Sequence, residues 1–177
     1  DDNKPVPVPT TGNGAAAPAP ASAAAKPVID QPSLVVAAKA VKNAAELEGM
    51  REAHLRDAVA LCEFFSDLEA RLAEGESVTE VQVDERLTGH RAAQPGFVEP
   101  SFPTIAGADS NGAVIHYRAK AETCRTAKPG TLLLVDSGGQ YDCGTTDVTR
   151  TVYCAGPGAA PRPSPELRRA YTRVLQG

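Results

Sequence analysis

The chain has 177 residues, 42% hydrophobic and 23% charged, enough apolar material for one domain core; no apolar run approaches the roughly 20 residues that cross a bilayer, which excludes a membrane-spanning helix. A net charge of −4, from 18 Lys plus Arg against 22 Asp plus Glu, gives no field to hold a polyanion, which excludes nucleic acid as a partner. The four cysteines have neither a CxxC pair nor zinc-finger spacing and read as free thiols in a reducing, cytoplasmic setting, in a soluble chain that opens without a secretory leader pattern.

Residues 1 to 32 hold seven prolines and eight alanines, with Val6, Val8, Val28 and Ile29 as their only branched apolar residues. Such a segment buries too little surface to offset its ordering entropy and is expected to be a flexible linker. The remaining 33–177 is the expected domain. A short branched apolar run, Ser33–Ala37, precedes a helix start at Asn43, with Glu46 three residues on. Leu47, Met50, His54, Ala58, Leu61, Phe65, Leu68 and Leu72 recur every three or four residues, predicting a long helix that stops near Gly75. His54 lies on that stripe and reads as a packed core histidine. A second helix is expected from Ser77 or Thr79 to about Arg91, ended by Gln94-Pro95-Gly96; His90 reads as a surface residue at its end.

After Gly96 the texture changes to short β-prone runs: Phe97–Ile105, Ala113–Tyr117, Thr131–Asp136 and Thr146–Tyr153, with turns at Asp109–Gly112 and Pro129-Gly130. A last helix is capped by Ser164 with Pro165 at its first position; Arg162, Arg168, Arg169 and Arg173 there read as a solvated face. The fold class is therefore α/β in the α+β sense, with two N-terminal helices packed on an antiparallel sheet.

The chemistry concentrates between Leu132 and Thr151. An apolar strand ending on Asp136 delivers a carboxylate to the edge of the buried region. In a hairpin, Asp136 and Asp147 sit symmetrically about Tyr141 and Asp142 and are expected to face each other. The period of two puts Asp147, Thr149, Thr151 and Tyr153 on one face, and Val148, Arg150 and Val152 on the other. Two close carboxylates share a proton, pair with a cation such as Arg150, or bind a hard metal ion; residue spacing leaves these open, along with a carboxylate dyad. Upstream, Asn111-Gly112 opens a run ending at His116, which is able to donate or accept a proton near neutral pH.

Several segments then fall in one order: Gly49-Met50-Arg51 with Ala53-His54, Ser101-Phe102-Pro103-Thr104-Ile105, Asn111-Gly112 to His116-Tyr117, Val135-Asp136-Ser137-Gly138, and Gly144-Thr145-Thr146-Asp147-Val148-Thr149-Arg150-Thr151. In this order they resemble the first part of the catalytic domain of the pita-bread metallopeptidases, and most of all the cytosolic eukaryotic Xaa-Pro aminopeptidases, or aminopeptidases P. The resemblance runs from about Val36 to Gly177 and implies the first half of a pita-bread fold.

By that resemblance Asp136 binds one of two divalent ions, commonly manganese, and Asp147 bridges both, while His116 lies beside the substrate. The implied reaction removes the first residue from a peptide with proline in second position, the ions polarising the carbonyl and activating water. The family completes its metal cage with a His-Gly-x-Gly-His type segment and two glutamates from the second half of the domain. No such segment occurs here, where there are three histidines in all. The resemblance therefore implies a complementary C-terminal half as partner, whether or not as a separate chain, and a 177-residue chain that is inactive alone. It leaves open a homodimer of the whole protein, a prolidase-type dipeptidase, and a non-catalytic pita-bread binding module.

Overall fold

The computed structural model describes residues 31–159 and 162–177. The expected linker therefore falls, over residues 1–30, outside the described residues. The chain divides into two units, the first described over residues 31–40 and the second Val41–Gly177. In the first, the branched run is helical: α1 spans Leu34–Ala40. The second unit carries everything that follows.

α2 (Ala44–Ala73) begins as its sequence dictates. The Asn43 side chain accepts from the Glu46 amide at 2.9 Å, and Glu46 accepts from the Asn43 amide at 2.9 Å, closing a capping box that stabilises the start by about 1 kcal/mol. At its end Gly75 takes φ +82°. The Gly75 and Glu76 amides then reach back to the Leu72 and Arg71 carbonyls, a Schellman closure that a side chain at Gly75 would strain. The buried face is Ala53, Asp57, Ala60, Leu61, Phe64, Leu68 and Leu72. Leu61, Leu68 and Leu72 are as expected, but His54 is exposed, its Nδ1 2.8 Å from the Met50 carbonyl, so it is not a core histidine. The helix rotates this stripe away from the core in its first half, where Asp57 faces inward instead.

β1 (Val78–Thr79) leads into α3 (Glu80–Ala92), capped by Thr79 with Gln82 in a second capping box. Next come β2 (Phe97–Pro100) and β3 (Ile105–Ala108), where the sequence suggested a single run over Phe97–Ile105. They separate because Pro100 and Pro103 interrupt the run and β2 pairs with β6 (Gly139–Tyr141) whereas β3 pairs with β5 (Leu132–Ser137). The expected strand at Ala113–Tyr117 does not form. A 3-10 turn, Asp109–Ala113, occupies its start, and Val114, Ile115 and His116 stand exposed. β4 (Thr126–Ala127) pairs with β1, and β7 (Val148–Tyr153) with β5; every pairing is antiparallel.

The three-stranded sheet β3-β5-β7 receives α2 and α3 on one face, as expected for helices on an antiparallel sheet. Phe64, Leu68 and Leu72 from α2 and Val83 and Leu87 from α3 pack with Ala106, Ala108, Leu133 and Val135, while Val148 and Val152 close the edge. Each fully buried Leu or Phe contributes about 1.5–3 kcal/mol by leaving water. α4 (Pro165–Gln176) starts at Ser164, whose Oγ accepts from the Leu167 amide at 3.2 Å, and buries no residue; its arginines are exposed, as expected. The four cysteines are unpaired, and no helix among the described residues is long and apolar enough to cross a membrane.

Candidate functional site

β5 alternates strictly. Leu133, Val135 and Ser137 are buried toward α2 and α3, so Leu132, Leu134 and Asp136 belong to the opposite face, which those two helices leave uncovered and whose Leu132 end borders α4. β3 and β7 flank it, and the register sets Asp136 between Ile105 and Thr149. The Thr149 hydroxyl donates to Asp136 Oδ1 at 2.7 Å. Asp147 is exposed, one residue before β7. Asp136 and Asp147 are therefore not directly opposed: Thr149 takes the facing position, and Asp147 lies two residues nearer the connection. The expected symmetric hairpin is displaced because residues 139–141 turn away to pair with β2.

That connection is pinched. A Cβ on Gly138 would overlap the Thr146 carbonyl oxygen, so the chain before Asp147 passes against the chain after Asp136 at a distance that only glycine permits. Thr146 fastens the crossing: its amide donates to the Gly139 carbonyl at 2.9 Å, and its hydroxyl accepts from the Gly139 amide at 2.8 Å. The Ser101 hydroxyl donates to the Thr146 carbonyl at 2.9 Å.

Beneath the crossing lies a buried polar network. Arg91 donates to Asp57 from Nε at 2.7 Å and Nη2 at 3.1 Å, and from Nη2 to Ser137 Oγ at 3.1 Å; the Tyr141 hydroxyl donates to Asp57 at 3.1 Å. Asp57 and Arg91 are each 1% exposed. Burial, together with the Asp57 charge and hydrogen bond, pushes the Tyr141 phenol well above its ordinary value, so it remains a donor. The network ties α2 and α3 to both sides of the Asp136–Asp147 connection.

One alternative for the paired acids was neutralisation by Arg150. The arginine lies on the other face of β7, beside His54, Cys62 and Phe65, and its Nη1 donates to the Thr149 carbonyl at 2.7 Å. Among the described residues no cation of the chain pairs with Asp136 or Asp147.

His116 takes φ +52°, uncommon for a residue with a side chain. The 3-10 turn before it lies across β3 and β5: a Cβ on Gly107 would come within 2.7 Å of Gly112 Cα, and one on Gly112 within 3.3 Å of Leu134 Cβ. The histidine thus follows a turn seated on the Leu134–Asp136 face. Glu80 at the start of α3 anchors that turn, accepting from the Ala108 and Arg125 amides at 2.7 and 2.9 Å, from the Tyr117 hydroxyl at 2.7 Å and from Asn111 Nδ2 at 3.0 Å. Burial alone would raise its pKa, but these donors outweigh it and hold the carboxylate below its ordinary value. Glu80, Asp57 and Arg91 had no warning in the sequence as site residues, and Thr149 was legible only as sharing a face with Asp147. A glutamate in the first turn of a helix is ordinary dipole chemistry, and only tertiary packing turns this one inward.

The sequence profile of metallopeptidase family M24 matches residues 48–177. The chain belongs to this family. It is 48% identical over 140 residues to Aminopeptidase P2 of Arabidopsis thaliana, covering 79% of this chain and 19% of that protein. It is 40% identical over 171 residues to Aminopeptidase P1 of Lotus japonicus, covering 85% and 25%. Among solved structures, X-prolyl aminopeptidase of Caenorhabditis elegans, described as a cytosolic enzyme with a di-nuclear active site, superposes with a TM-score of 0.74 at 40% identity, over 81% of this chain and 22% of that one. The architecture is the matching part of the pita-bread fold. The chain thus spans about a fifth to a quarter of the length of these relatives.

The donor chemistry fits an M24 metal centre in kind. Asp136 and Asp147 are hard oxygen donors paired with no cation among the described residues, and one accepts from a neighbouring hydroxyl. It does not fit in number: among the described residues no group of three or more His, Cys, Asp or Glu side chains converges on a metal position.

Proposed function

We propose that residues 33–177 form the N-terminal half of the catalytic domain of an Xaa-Pro aminopeptidase. The enzyme releases the first residue from peptides with proline in second position and works in the cytoplasm. The single observation that carries this reading is the Asp136–Thr149 contact with Asp147 two residues upstream, neither acid paired with an arginine or lysine among the described residues, in an M24 chain 48% identical to an aminopeptidase P.

In this reading Asp136 and Asp147 are ligands of two divalent ions, with manganese as the native metal. Bound ions supply Lewis acidity toward the scissile carbonyl and lower the pKa of a water. Thr149, donating to Oδ1, fixes the rotamer of Asp136. The Thr146–Gly139 pinch fixes where Asp147 leaves the turn. His116, following the turn seated on the same face, lies beside the peptide and makes a hydrogen bond near the scissile bond. The remaining ligands come from a complementary C-terminal half, so the 177-residue chain alone has no peptidase activity.

The test compares this chain with the full-length protein on two peptides that differ only in proline or alanine at position two. Manganese-dependent release from the proline peptide by the full-length protein alone supports the reading. Release from both peptides, or from neither, contradicts it; cleavage restricted to Xaa-Pro dipeptides would point to a dipeptidase instead.

A further inference from the structure

We infer that Glu80 is a positioning residue for His116, holding the histidine in its left-handed backbone conformation through Asn111 and Tyr117. The inference rests on the reading of His116 as a substrate-facing group and names the part of the fold that puts it there.

The segment 109–117 has little of its own to hold it. It forms one 3-10 turn, closed by the Val114 amide on the Asn111 carbonyl at 3.1 Å, and one further backbone bond, from Tyr117 to Val114 at 3.2 Å. Ile115 is 86% exposed, so hydrophobic burial does not fix the tip. Yet two residues here, Asp109 and His116, both take φ +52°. A side-chain-bearing residue keeps such a conformation only where its surroundings over-determine it.

Asp109 has its own anchor, its Oδ1 accepting from the Leu132 amide at 3.0 Å; for His116, Glu80 supplies that determination from both flanks. It is 0% exposed and receives donors from Ala108 and Asn111 on one side of His116, and from Tyr117, immediately after it, on the other. Asn111 Nδ2 lies 3.0 and 3.2 Å from the two carboxylate oxygens and 2.9 Å from the Tyr117 hydroxyl, so the two flanks also bond each other. A fourth donor, the Arg125 amide, ties in the strand that follows. One buried carboxylate thus closes the base of the loop, with His116 as the last residue before the clamp.

Tyr117→Phe in the full-length enzyme removes the clamp's hydroxyl and keeps the ring. A reacting group misplaced by about 1 Å costs on the order of a hundredfold in rate, and partial loosening is expected to lower kcat about tenfold, with KM and metal content nearly unchanged and only the small drop in thermal midpoint that loss of one hydrogen bond brings. In a His116→Ala background the same substitution is expected to have no further effect, because the two act through one group. If His116→Ala lowers kcat while Tyr117→Phe does not, or if Tyr117→Phe costs as much with His116 absent, the positioning role is wrong and the reading of His116 stands. If His116→Ala leaves kcat unchanged, that reading itself fails. Asn111→Ala carries the same prediction, and decides the matter should Tyr117→Phe fail to fold.

Discussion

Thr149 faces Asp136 across the β5–β7 ladder and donates its hydroxyl to the carboxylate at 2.7 Å. A carboxylate held this way presents its second oxygen in a fixed direction, which is what a ligand to a hard cation needs. Thr149→Val keeps the β-branched shape and removes the donor. In the full-length protein we expect affinity for manganese to fall about 10- to 100-fold, measured by titration calorimetry, with little change in thermal midpoint. Unchanged affinity would show that the hydroxyl does not orient Asp136.

The Asp57–Arg91 pair lies under the same strands, bidentate and out of water. Removing one partner strands the other charge, so Asp57→Ala is expected to cost about 3–5 kcal/mol. Tyr141→Phe removes one hydrogen bond to the same carboxylate and is expected to cost about 1 kcal/mol. Denaturant unfolding monitored by circular dichroism separates the two. Equal effects would mean the pair is not the organising element of the network.

Gly138 permits the crossing of the segments after Asp136 and before Asp147. Gly138→Ala drives a methyl group into the Thr146 carbonyl and is expected to destabilise the fold by about 1–3 kcal/mol, while lowering metal affinity in the full-length protein. Wild-type stability and affinity would show that the two segments do not need this approach.

Glu80 gives the fold a pH dependence of definite sign. Its folded pKa is held below the ordinary 4.5, because the donors to its carboxylate outweigh burial. Its contribution to stability is therefore present above about pH 4.5 and is lost as pH falls through the depressed value. Tyr117 acts in the opposite direction at the alkaline end. Burial and then the Glu80 contact push its phenol up to about 12, so its contribution is intact below its ordinary 10.0 and lost as pH rises through about 12. Unfolding midpoints measured from pH 6 down to 3 are expected to fall less steeply in Glu80→Gln than in the wild type, about a lower starting stability. Parallel curves would contradict the assignment.

Local signals in the chain carried most of the fold. The capping pairs Asn43/Glu46 and Thr79/Gln82 mark both helix starts, and the alternation in 148–153 puts Val148 and Val152 against the core as expected. Asp136, Asp147 and His116 were visible as candidates because acids at strand ends and a histidine after a turn are locally conspicuous. What was not legible depended on partners distant in sequence. Val114-Ile115-His116-Tyr117 has strand composition, but the Glu80 carboxylate binds Asn111 and Tyr117 and imposes a turn. The two-residue offset between the acids follows from β6 pairing with β2, a non-local choice. In α2 the stripe through His54 and Ala58 gave way because the inward face carries Asp57, whose place is set by Arg91 and Tyr141.

The central claim is that Asp136 and Asp147 hold the catalytic ions. The most direct measurement is the metal content of the purified full-length protein, wild type and Asp147→Asn, read alongside release of the first residue from an Xaa-Pro peptide. The account predicts two manganese ions per wild-type protomer, loss of at least one in Asp147→Asn, and release reduced to background. An Asp147→Asn protein that keeps both ions and wild-type turnover would contradict it.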